Sequence, residues 1–297
     1  MHPSNSSSER ALRSLCGLSV GDAFGEQFFV PEDQFAVTVH QRILPSAPWH
    51  YTDDSEMSMS LVAILRSYGE VQPDELVNSF AQHFDPSRGY GPSMQRVLRQ
   101  IREGEPWRGV ISSAFAGQGS YGNGSAMRAG PLGAYFADDL PRVVTQAELA
   151  SRTTHTHPEA VAGAIAVAVA AAIACQDSGP VSPAAWLKSV LTWVPSSEVR
   201  SRLERASALP EQMHTDTAAA ILGNGSQLSA QDTVPFALWC AARHLGDFEE
   251  AMWAGVMAGE DRDTICAIVG SVVAMTADVP VRWLEAREAL PQWFSMT

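Results

Sequence analysis

The sequence predicts an all-α fold, built as a single compact multi-helix domain. Apolar residues recur at helical spacing along most of the chain, as they do at Leu12, Leu15 and Cys16. Only Gln34–His40 shows the β-branched alternation that is typical of a strand. Neither of the two Asn-Gly pairs is flanked by alternating segments, so β-hairpins are not expected.

Each predicted helix follows from an apolar stripe, a helix-start signal, or both. In Ser55–Tyr68 the stripe runs through Met57 and Leu61. Pro73–Phe84 opens with a proline and two acids, which suit the first turn of a helix. The full predicted set is Ala11–Ala23, Ser55–Tyr68, Pro73–Phe84, Met94–Ile101, Ser125–Phe136, Arg142–Arg152, Pro158–Cys175, Pro183–Trp193, Ser197–Ala208, Thr215–Leu222, Val234–Leu245, Phe248–Met257, Thr264–Ala277 and Val281–Leu290.

The chain is predicted to hold one domain, residues 11–297, after a polar and serine-rich disordered tail, residues 1–10. The longest apolar run, Ala160–Cys175, has 16 residues. A membrane-spanning helix needs about 20, so this run is predicted to be a helix of the core. No segment resembles a signal peptide, and the expected location is the cytoplasm.

Charge and cysteine content exclude some classes of function. The chain has 33 acidic and 20 basic residues, for a net charge of −13. No nucleic-acid-binding surface is predicted, because such a surface needs clustered Lys and Arg. A phosphate-bearing substrate is still compatible, since bound divalent cations reverse the local potential. The four cysteines show no paired spacing and are predicted to be reduced core residues.

Two short acidic stretches are the main candidates for chemistry. Thr52-Asp53-Asp54-Ser55 precedes one predicted helix, and Asp261-Arg262-Asp263-Thr264 opens another. Either stretch alone could also be a solvated helix cap. Four carboxylates brought together would repel one another unless cations lay between them. Because the ligands are oxygens without Cys or His, the sequence predicts two magnesium or manganese ions rather than zinc.

The glycine-rich stretch Ser120–Arg128 is a candidate phosphate-binding loop. Glycines on both sides of Asn123 allow backbone N–H groups to turn toward an anion, and a predicted helix follows. A glycine-rich turn with no ligand is the alternative. The stretch lacks the Gly-Lys-Ser/Thr ending of a P-loop and follows no strand, which argues against nucleoside-triphosphate hydrolysis.

Two further positions have both a functional and an ordinary interpretation. His155 and His157 precede a predicted helix and could bind metal, although a helix-entry histidine bonded to a neighbour fits equally well. Tyr90, flanked by glycines, is either an exposed ring that stacks on a ligand or an ordinary turn tyrosine.

Five motifs occur in a fixed order along the chain. They are Gly17–Gly25, Thr52–Ser55, Ser120–Arg128, Thr154-His155 and Gly259–Thr264. This ordered set resembles the signatures of the ADP-ribosyl-glycohydrolase family, relatives of the dinitrogenase reductase-activating glycohydrolase. The resemblance extends over nearly the whole chain, which makes it much more specific than a single glycine loop would be.

The resemblance implies an all-α fold and two magnesium ions that hold an ADP-ribosyl group for hydrolysis at the anomeric carbon of its distal ribose. Transferred by position, the implied metal ligands are Thr52, Asp53, Asp54, Asp261, Asp263 and Thr264. The implied substrate-binding residues are Ser120, Tyr121, Gly122, Asn123, Gly124, Ser125, Met127 and His155, to which Tyr90 is added from its own sequence context.

This chain departs from the family pattern at two places. Some relatives carry a glutamate where this chain has Phe29, and some carry an aspartate near the position of Gly89. The proton carrier is therefore left open among several carboxylates. The candidates are Asp54, Asp261, Asp263, Glu26 and Glu32.

Three functions are compatible with the resemblance. The first is a magnesium-dependent hydrolase of ADP-ribosylated protein, with arginine as the most direct attachment residue. The second, suggested by Phe29 and Gly89, is an ADP-ribose-binding module with weak or no turnover. The third is a structural protein on the same fold, like the related lens crystallins. The intact set of implied metal ligands favours the hydrolase.

Overall fold

The computed structural model describes residues 7–176 and 181–294. This part of the chain forms sixteen α-helices and no strand, which confirms the predicted all-α class. The first eight helices are α1 (Ser7–Glu26), α2 (Glu32–His40), α3 (Asp53–Tyr68), α4 (Pro73–His83), α5 (Pro92–Arg102), α6 (Trp107–Ser113), α7 (Gly130–Tyr135) and α8 (Leu140–Arg152). The second eight are α9 (Pro158–Ala174), α10 (Pro183–Leu191), α11 (Glu198–Ala208), α12 (Thr215–Leu222), α13 (Ala230–Arg243), α14 (Phe248–Ala258), α15 (Arg262–Val273) and α16 (Val281–Ala286).

Helices α1 and α15 pack backbone against backbone at the centre of the domain. A Cβ added to Gly21 would lie 2.1 Å from the Cys266 carbonyl oxygen, and one added to Gly25 would lie 2.3 Å from that of Arg262. Real side-chain atoms do not approach so closely, so only glycine fits at these positions of α1. The contact brings the C-terminal half of α1 beside the N-terminal end of α15.

The alanine-rich helix α9 forms a second central element. Fourteen of its 17 residues are buried, and it packs against α7, α8 and α13. The apolar run that the sequence assigns to the core therefore lies in the core. No helix in the described ranges combines the length and the apolar character needed to cross a membrane.

The structure corrects three details of the sequence interpretation. The alternating tract Gln34–His40 lies in helix α2, where only Val39 is buried, so its alternation does not face a sheet. An extra helix, α6, follows Pro106. The helix predicted for Ser125–Phe136 is shortened to α7, because a 3-10 turn at Asn123–Ser125 and a further turn precede it.

The boundary of the predicted N-terminal tail also differs. Helix α1 begins at Ser7, so Ser7–Arg10 belong to the helix, and the first six residues of the predicted tail lie outside the described ranges. Arg10 explains part of this difference. Its guanidinium donates to the Ala134 carbonyl at 2.9 Å and pairs with Asp138 at 2.6 Å, which fastens the first turn of α1 to the end of α7.

Replacing Gly21 with alanine is expected to lower the free energy of unfolding by about 3 kcal/mol, because the new methyl group would collide with backbone of α15. Urea denaturation would measure the loss. Gly109→Ala is the matched control, since Gly109 also lies within a helix but has nothing within 4 Å of its added Cβ. That variant should be unchanged or slightly more stable. Equal stability of the two variants would contradict the close helix contact.

Candidate active site

The two acidic stretches lie at the N-terminal ends of α3 and α15, and α1 packs against both helices. Asp22 of α1, Asp54 of α3 and Asp263 of α15 each place one carboxylate oxygen so that the three lie within 4.8 Å of one another. The structure therefore brings together the two stretches that the sequence singled out. It also adds Asp22, which the sequence analysis did not include as a site residue.

Asp22 orients the turn that carries the other acids. One of its oxygens accepts hydrogen bonds from the Ser55 hydroxyl at 2.5 Å and the Ser55 N–H at 3.1 Å. Its other oxygen accepts from the Thr52 hydroxyl at 2.8 Å. A fully buried carboxylate with this many donors fixes the main chain of the first turn of α3. In the sequence, the one indication that Asp22 has this role is that it is a lone acidic residue between the core residues of an apolar helix.

Two carboxylate oxygens of the cluster lack a hydrogen-bond partner in the described part of the chain. They are Oδ1 of Asp54 and Oδ1 of Asp263, both of them buried. Burial raises the pKa of each carboxyl well above its usual range, and the neighbouring aspartates raise it further. Buried anionic oxygens without donors are costly unless a cation coordinates them. The donor set, made of hard oxygens with no described His or Cys in the cluster, fits a magnesium or manganese ion.

The other acidic residues of the two stretches have distinct surroundings. Asp53 lines the cleft described below. Asp261 accepts a hydrogen bond at 2.5 Å from the side-chain amide of Asn123, which also donates to Thr233 at 2.9 Å. Burial raises the pKa of Asp261, while the Asn123 bond opposes that rise. Asn123 thus links the glycine-rich loop directly to the acidic cluster.

A cleft with a cavity volume of about 350 Å³ opens beside the cluster. Most of the predicted site residues line it: Asp53, Asp54, Asp261, Asp263, Thr264, Ser120, Tyr121, Gly122, Asn123, Gly124, Met127 and His155. The acidic cluster and the glycine-rich loop therefore belong to one cleft.

Five predicted site residues do not line the cleft, the candidate proton carriers Glu26 and Glu32 among them. Thr52 is buried and bonded to Asp22. The Ser125 hydroxyl donates to the Ala160 carbonyl and so connects the loop to α9. Tyr90 is 3 % exposed, and its hydroxyl donates to Glu56 at 2.7 Å, so the ring is not available to stack on a ligand. The ordinary interpretation of Tyr90 is the one that fits its surroundings.

A buried arginine holds the glycine-rich loop in place from the interior of the domain. Arg128 donates to the Gly124 carbonyl at 2.7 Å and to the Thr154 hydroxyl at 2.7 Å, and its guanidinium lies 4.8 Å from the ring centre of Phe80. Burial lowers the pKa of this guanidinium to about 10, so it stays charged at neutral pH. These contacts hold the loop and the connection between α8 and α9 as one unit.

The ring of His155 packs directly against the glycine-rich loop. A Cβ added to Gly124 would lie 2.9 Å from its ring, so a side chain at that position would collide with it. The Thr154 hydroxyl accepts from Arg128 and lies 2.8 Å from His155 Nδ1, so the two side chains share a hydrogen bond at Nδ1. Burial, and then the Arg128 charge, lower the pKa of His155 to about 3. His155 is therefore a neutral ring at neutral pH, with its Nε2 beside Gly122 and Gly124 of the loop.

An aromatic residue that no sequence motif includes, Phe115, lies on the cleft wall. Phe115 is 50 % exposed and has a left-handed backbone, with φ of 53°. Tyr121, on the same wall, is 51 % exposed. Large rings exposed beside a cleft are typical of ligand-stacking positions. Phe115 belongs to no recognisable sequence motif, because its exposure depends on a left-handed turn that the sequence does not predict.

The positions that depart from the family pattern are also explained by their surroundings. Phe29 is half-exposed, with its ring centre 5.8 Å from the Arg262 guanidinium. Gly89 has φ of +83°, and a Cβ there would lie 3.8 Å from Asp53 Oδ1. The space beside the acidic stretch is therefore left open at Gly89.

The two alternative glutamates lie in different places. Glu26, the last residue of α1, has a pKa raised to about 7 by its burial and by the charge of Asp22, and its own charge raises the pKa of Asp263. Glu32 lines a separate cavity of about 500 Å³ together with Asp216 and Glu260. Glu26 is thus the one that lies next to the acidic cluster.

Comparison with known proteins gives consistent matches over nearly the full chain. The profile of the ADP-ribosylglycohydrolase family matches residues 3–295. An uncharacterized protein of Archaeoglobus fulgidus is 30 % identical, over 93 % of this chain and 91 % of its own. ADP-ribosylhydrolase ARH3 of Homo sapiens is 26 % identical, over 92 % of this chain and 88 % of its own.

Two further matches extend the comparison. ADP-ribosylarginine hydrolase Tri1 of Serratia proteamaculans is 24 % identical, over 95 % of this chain and 76 % of its own. A solved structure described as an ADP-ribosylglycohydrolase-related protein complex superposes with a TM-score of 0.64 at 25 % identity, covering 95 % of this chain and 93 % of its own.

Replacing Asp54 or Asp263 with asparagine is expected to remove most of the binding of Mg²⁺, because each substitution takes a charged oxygen from the cluster. The loss should exceed the roughly 10–100-fold that follows when only a supporting residue of a metal site is changed. Isothermal titration with MgCl₂ would measure it. Asp278→Asn, at a carboxylate that is 98 % exposed, is the control and should bind as the wild type does. Equal affinity of all three variants would refute the metal assignment.

His155 is expected to remain a neutral ring from pH 5 to pH 8. Its pKa of about 3 lies well below this window, and the Thr154 hydroxyl occupies Nδ1. Nitrogen-15 chemical shifts of the imidazole, assigned with a His155→Gln variant, would report the tautomer directly. A ring that titrates near pH 6.5, the usual value for histidine, would contradict the buried and hydrogen-bonded environment.

Proposed function

Because the chain belongs to the ADP-ribosylglycohydrolase family, we propose that it hydrolyses the glycosidic bond between ADP-ribose and a protein side chain or a small ADP-ribose conjugate. The observation that carries the proposal is the pair of unpartnered carboxylate oxygens, on Asp54 and Asp263, at one end of a cleft whose wall is the glycine-rich loop. Such a cleft has a place for cations and, beside it, a place for a phosphate-bearing ligand.

Two magnesium ions, or manganese in their place, are the proposed cofactors. Asp54 and Asp263 would hold them, with Asp53, Asp261, Thr52 and Thr264 as the further oxygen donors. When bound, such ions neutralise the aspartates, orient the ribose hydroxyls and lower the pKa of a coordinated water. Asp22 lies close enough to contribute, although its oxygens already accept several hydrogen bonds from the turn before α3.

The remaining cleft residues would bind the substrate. Backbone N–H groups of the Gly122–Gly124 segment suit the diphosphate, because glycine there leaves the main chain open to a close approach. His155 would contact the distal ribose or the bond to be broken, as a neutral ring that does not change its protonation. Phe115 and Tyr121 would stack on the adenine base, since both rings are half-exposed on the cleft wall.

The proton carrier is proposed to be a carboxylate at the acidic end of the cleft. Asp54, Asp261 and Asp263 are candidates there, and Glu26 is favoured over Glu32 because Glu32 faces a different cavity. A carboxylate that takes a proton from water as the ribose gains oxocarbenium character would contribute a factor of about 10²–10⁴ to the rate. With Phe29 in place of the family glutamate, Glu26 is the proposed substitute, because its charge acts on Asp263.

ADP-ribosyl-arginine is the proposed substrate linkage. The relative from Serratia proteamaculans is named for that linkage, and it covers 95 % of this chain. The second candidate function is an ADP-ribose-binding module that turns over slowly. It is suggested by Phe29, which supplies no carboxylate at the family position, and by Gly89, which supplies no side chain at all.

Turnover assays separate these functions. ADP-ribosyl-arginine peptide, ADP-ribosyl-serine peptide and O-acetyl-ADP-ribose would each be incubated with the enzyme, first with Mg²⁺ and then with a chelator. Release of ADP-ribose that depends on Mg²⁺ and is fastest from the arginine peptide is the expected result. Tight binding of ADP-ribose without release from any of the three substrates would overturn the hydrolase and support the binding module.

Glu26→Gln is expected to lower kcat by about 10²–10⁴-fold, because the amide cannot accept the proton. Binding of ADP-ribose should stay within a few-fold of the wild type. Glu32→Gln is the matched control and should leave kcat nearly unchanged, since Glu32 lines a separate cavity whereas Glu26 lies next to Asp22 and Asp263 of the acidic cluster. If both variants turn over at the wild-type rate, the proton carrier is one of the aspartates.

A further inference from the structure

The C-terminal segment returns to the turn that precedes α3. The Trp49 N–H donates to the Ala286 carbonyl at 2.7 Å, and the Glu288 N–H donates to the Trp49 carbonyl at 2.9 Å. Trp49 and Trp283, with ring centres 5.4 Å apart, are almost fully buried beneath this contact. The segment after α16 is therefore anchored beside residues 49–51.

The side chain of Glu288 reaches across this contact. One of its oxygens accepts from the Tyr51 N–H at 3.0 Å and from the Arg88 guanidinium, and the other lies 3.1 Å from His50 Nδ1. The carboxylate is 20 % exposed, and so is its Arg88 partner. Charge-assisted hydrogen bonds that are mostly shielded from water are stronger than surface ion pairs.

Arg88 connects Glu288 with the acidic stretch at the start of α3. Its guanidinium lies 3.8 Å from the ring centre of Tyr51 and donates to the Tyr51 carbonyl at 2.9 Å. Its own carbonyl accepts the Asp53 N–H at 2.7 Å. Asp53 opens α3, so that N–H has no partner within the helix and its orientation depends on Arg88.

The first turn of α3 is thus held from two sides. Asp22 binds Thr52 and Ser55 from the interior of the domain. Arg88, backed by Glu288, binds the N–H of Asp53 from the other side. Neither Arg88 nor Glu288 lines the cleft, so their effect on the site would be indirect.

We propose that Glu288 is a positioning residue for the acidic site. Through Arg88 and Tyr51 it fixes the turn from Thr52 to Asp54 in the geometry that holds divalent cations, so the C-terminal segment sets the affinity for metal. The proposal rests on the metal role assigned to that turn under the proposed function. It does not depend on which bond is cleaved, or on whether any bond is cleaved.

The test compares Glu288→Gln with wild type and with Glu285→Gln, an exposed glutamate three residues earlier in the same segment. Titration with MgCl₂ is expected to show about 10–100-fold weaker binding in Glu288→Gln and no change in Glu285→Gln. At saturating Mg²⁺, kcat of Glu288→Gln should lie within about threefold of wild type. A general loss of structure would lower kcat at every Mg²⁺ concentration.

A second readout needs no metal and no turnover. Hydrogen exchange of the Asp53 amide should be faster in Glu288→Gln than in Glu285→Gln, because the bond to the Arg88 carbonyl loosens. Arg88→Gln should weaken Mg²⁺ binding to a similar degree, and the double variant should be no weaker than either single one. Additive losses would mean that the two residues act separately and would overturn the proposal.

Wild-type affinity for Mg²⁺ in a folded Glu288→Gln protein would also overturn it, as would a wild-type chain that binds no Mg²⁺. If Glu288→Gln does not fold, Glu288→Asp, which keeps the charge, replaces it in both measurements with the same criteria. A wild-type protein that binds Mg²⁺ but hydrolyses no ADP-ribose conjugate would defeat the proposed function alone, because the Mg²⁺ titration and the hydrogen exchange of the Glu288 variants are measured without substrate.

Discussion

The close packing of α1 on α15 determines where the chemistry can occur. Glycines at positions 17, 21 and 25 let the two backbones touch, so Asp22 near the end of α1 meets Asp263 in the first turn of α15. Helix α3, packed against the same part of α1, adds Asp54. Bulkier residues at these three glycine positions would push α1 and α15 apart by roughly an ångström or more. Asp22 and Asp263, which belong to remote parts of the chain, would then no longer meet.

Bringing these aspartates together costs free energy, and the surrounding hydrogen bonds reduce that cost. Asp22 is satisfied by the turn before α3, and Asp261 is satisfied by Asn123 of the glycine-rich loop. Asp54 and Asp263 keep buried oxygens that no group of the described chain satisfies. The protein's own hydrogen-bond donors therefore offset part of the free-energy cost of burying several aspartates together, and a bound cation would offset the rest. Since Asn123 joins the acidic cluster to the loop, ligands at the two places share one wall of the cleft.

The helical fold and most of the cleft could be predicted from the sequence, because the apolar spacing and the acidic and glycine-rich stretches are local signals. Features that depend on remote contacts were missed. Asp22 looked like one residue of an apolar helix, and its role depends on donors about 30 residues away. The sequence left Tyr90 open between an exposed stacking ring and an ordinary turn tyrosine, and only the contact with Glu56 shows that the ring lies inside the core. Phe115 reaches the cleft through a left-handed turn that follows no motif.

The central claim is that the acidic cluster is a divalent-metal centre at the end of an ADP-ribose cleft. Anomalous diffraction from crystals grown with Mn²⁺ and ADP-ribose tests it most directly. We predict strong manganese peaks within coordination distance of Asp54 Oδ1 and Asp263 Oδ1, with the distal ribose beside them. Electron density for ADP-ribose elsewhere on the protein, or a cluster without manganese in which these two oxygens bind only water, would contradict the account.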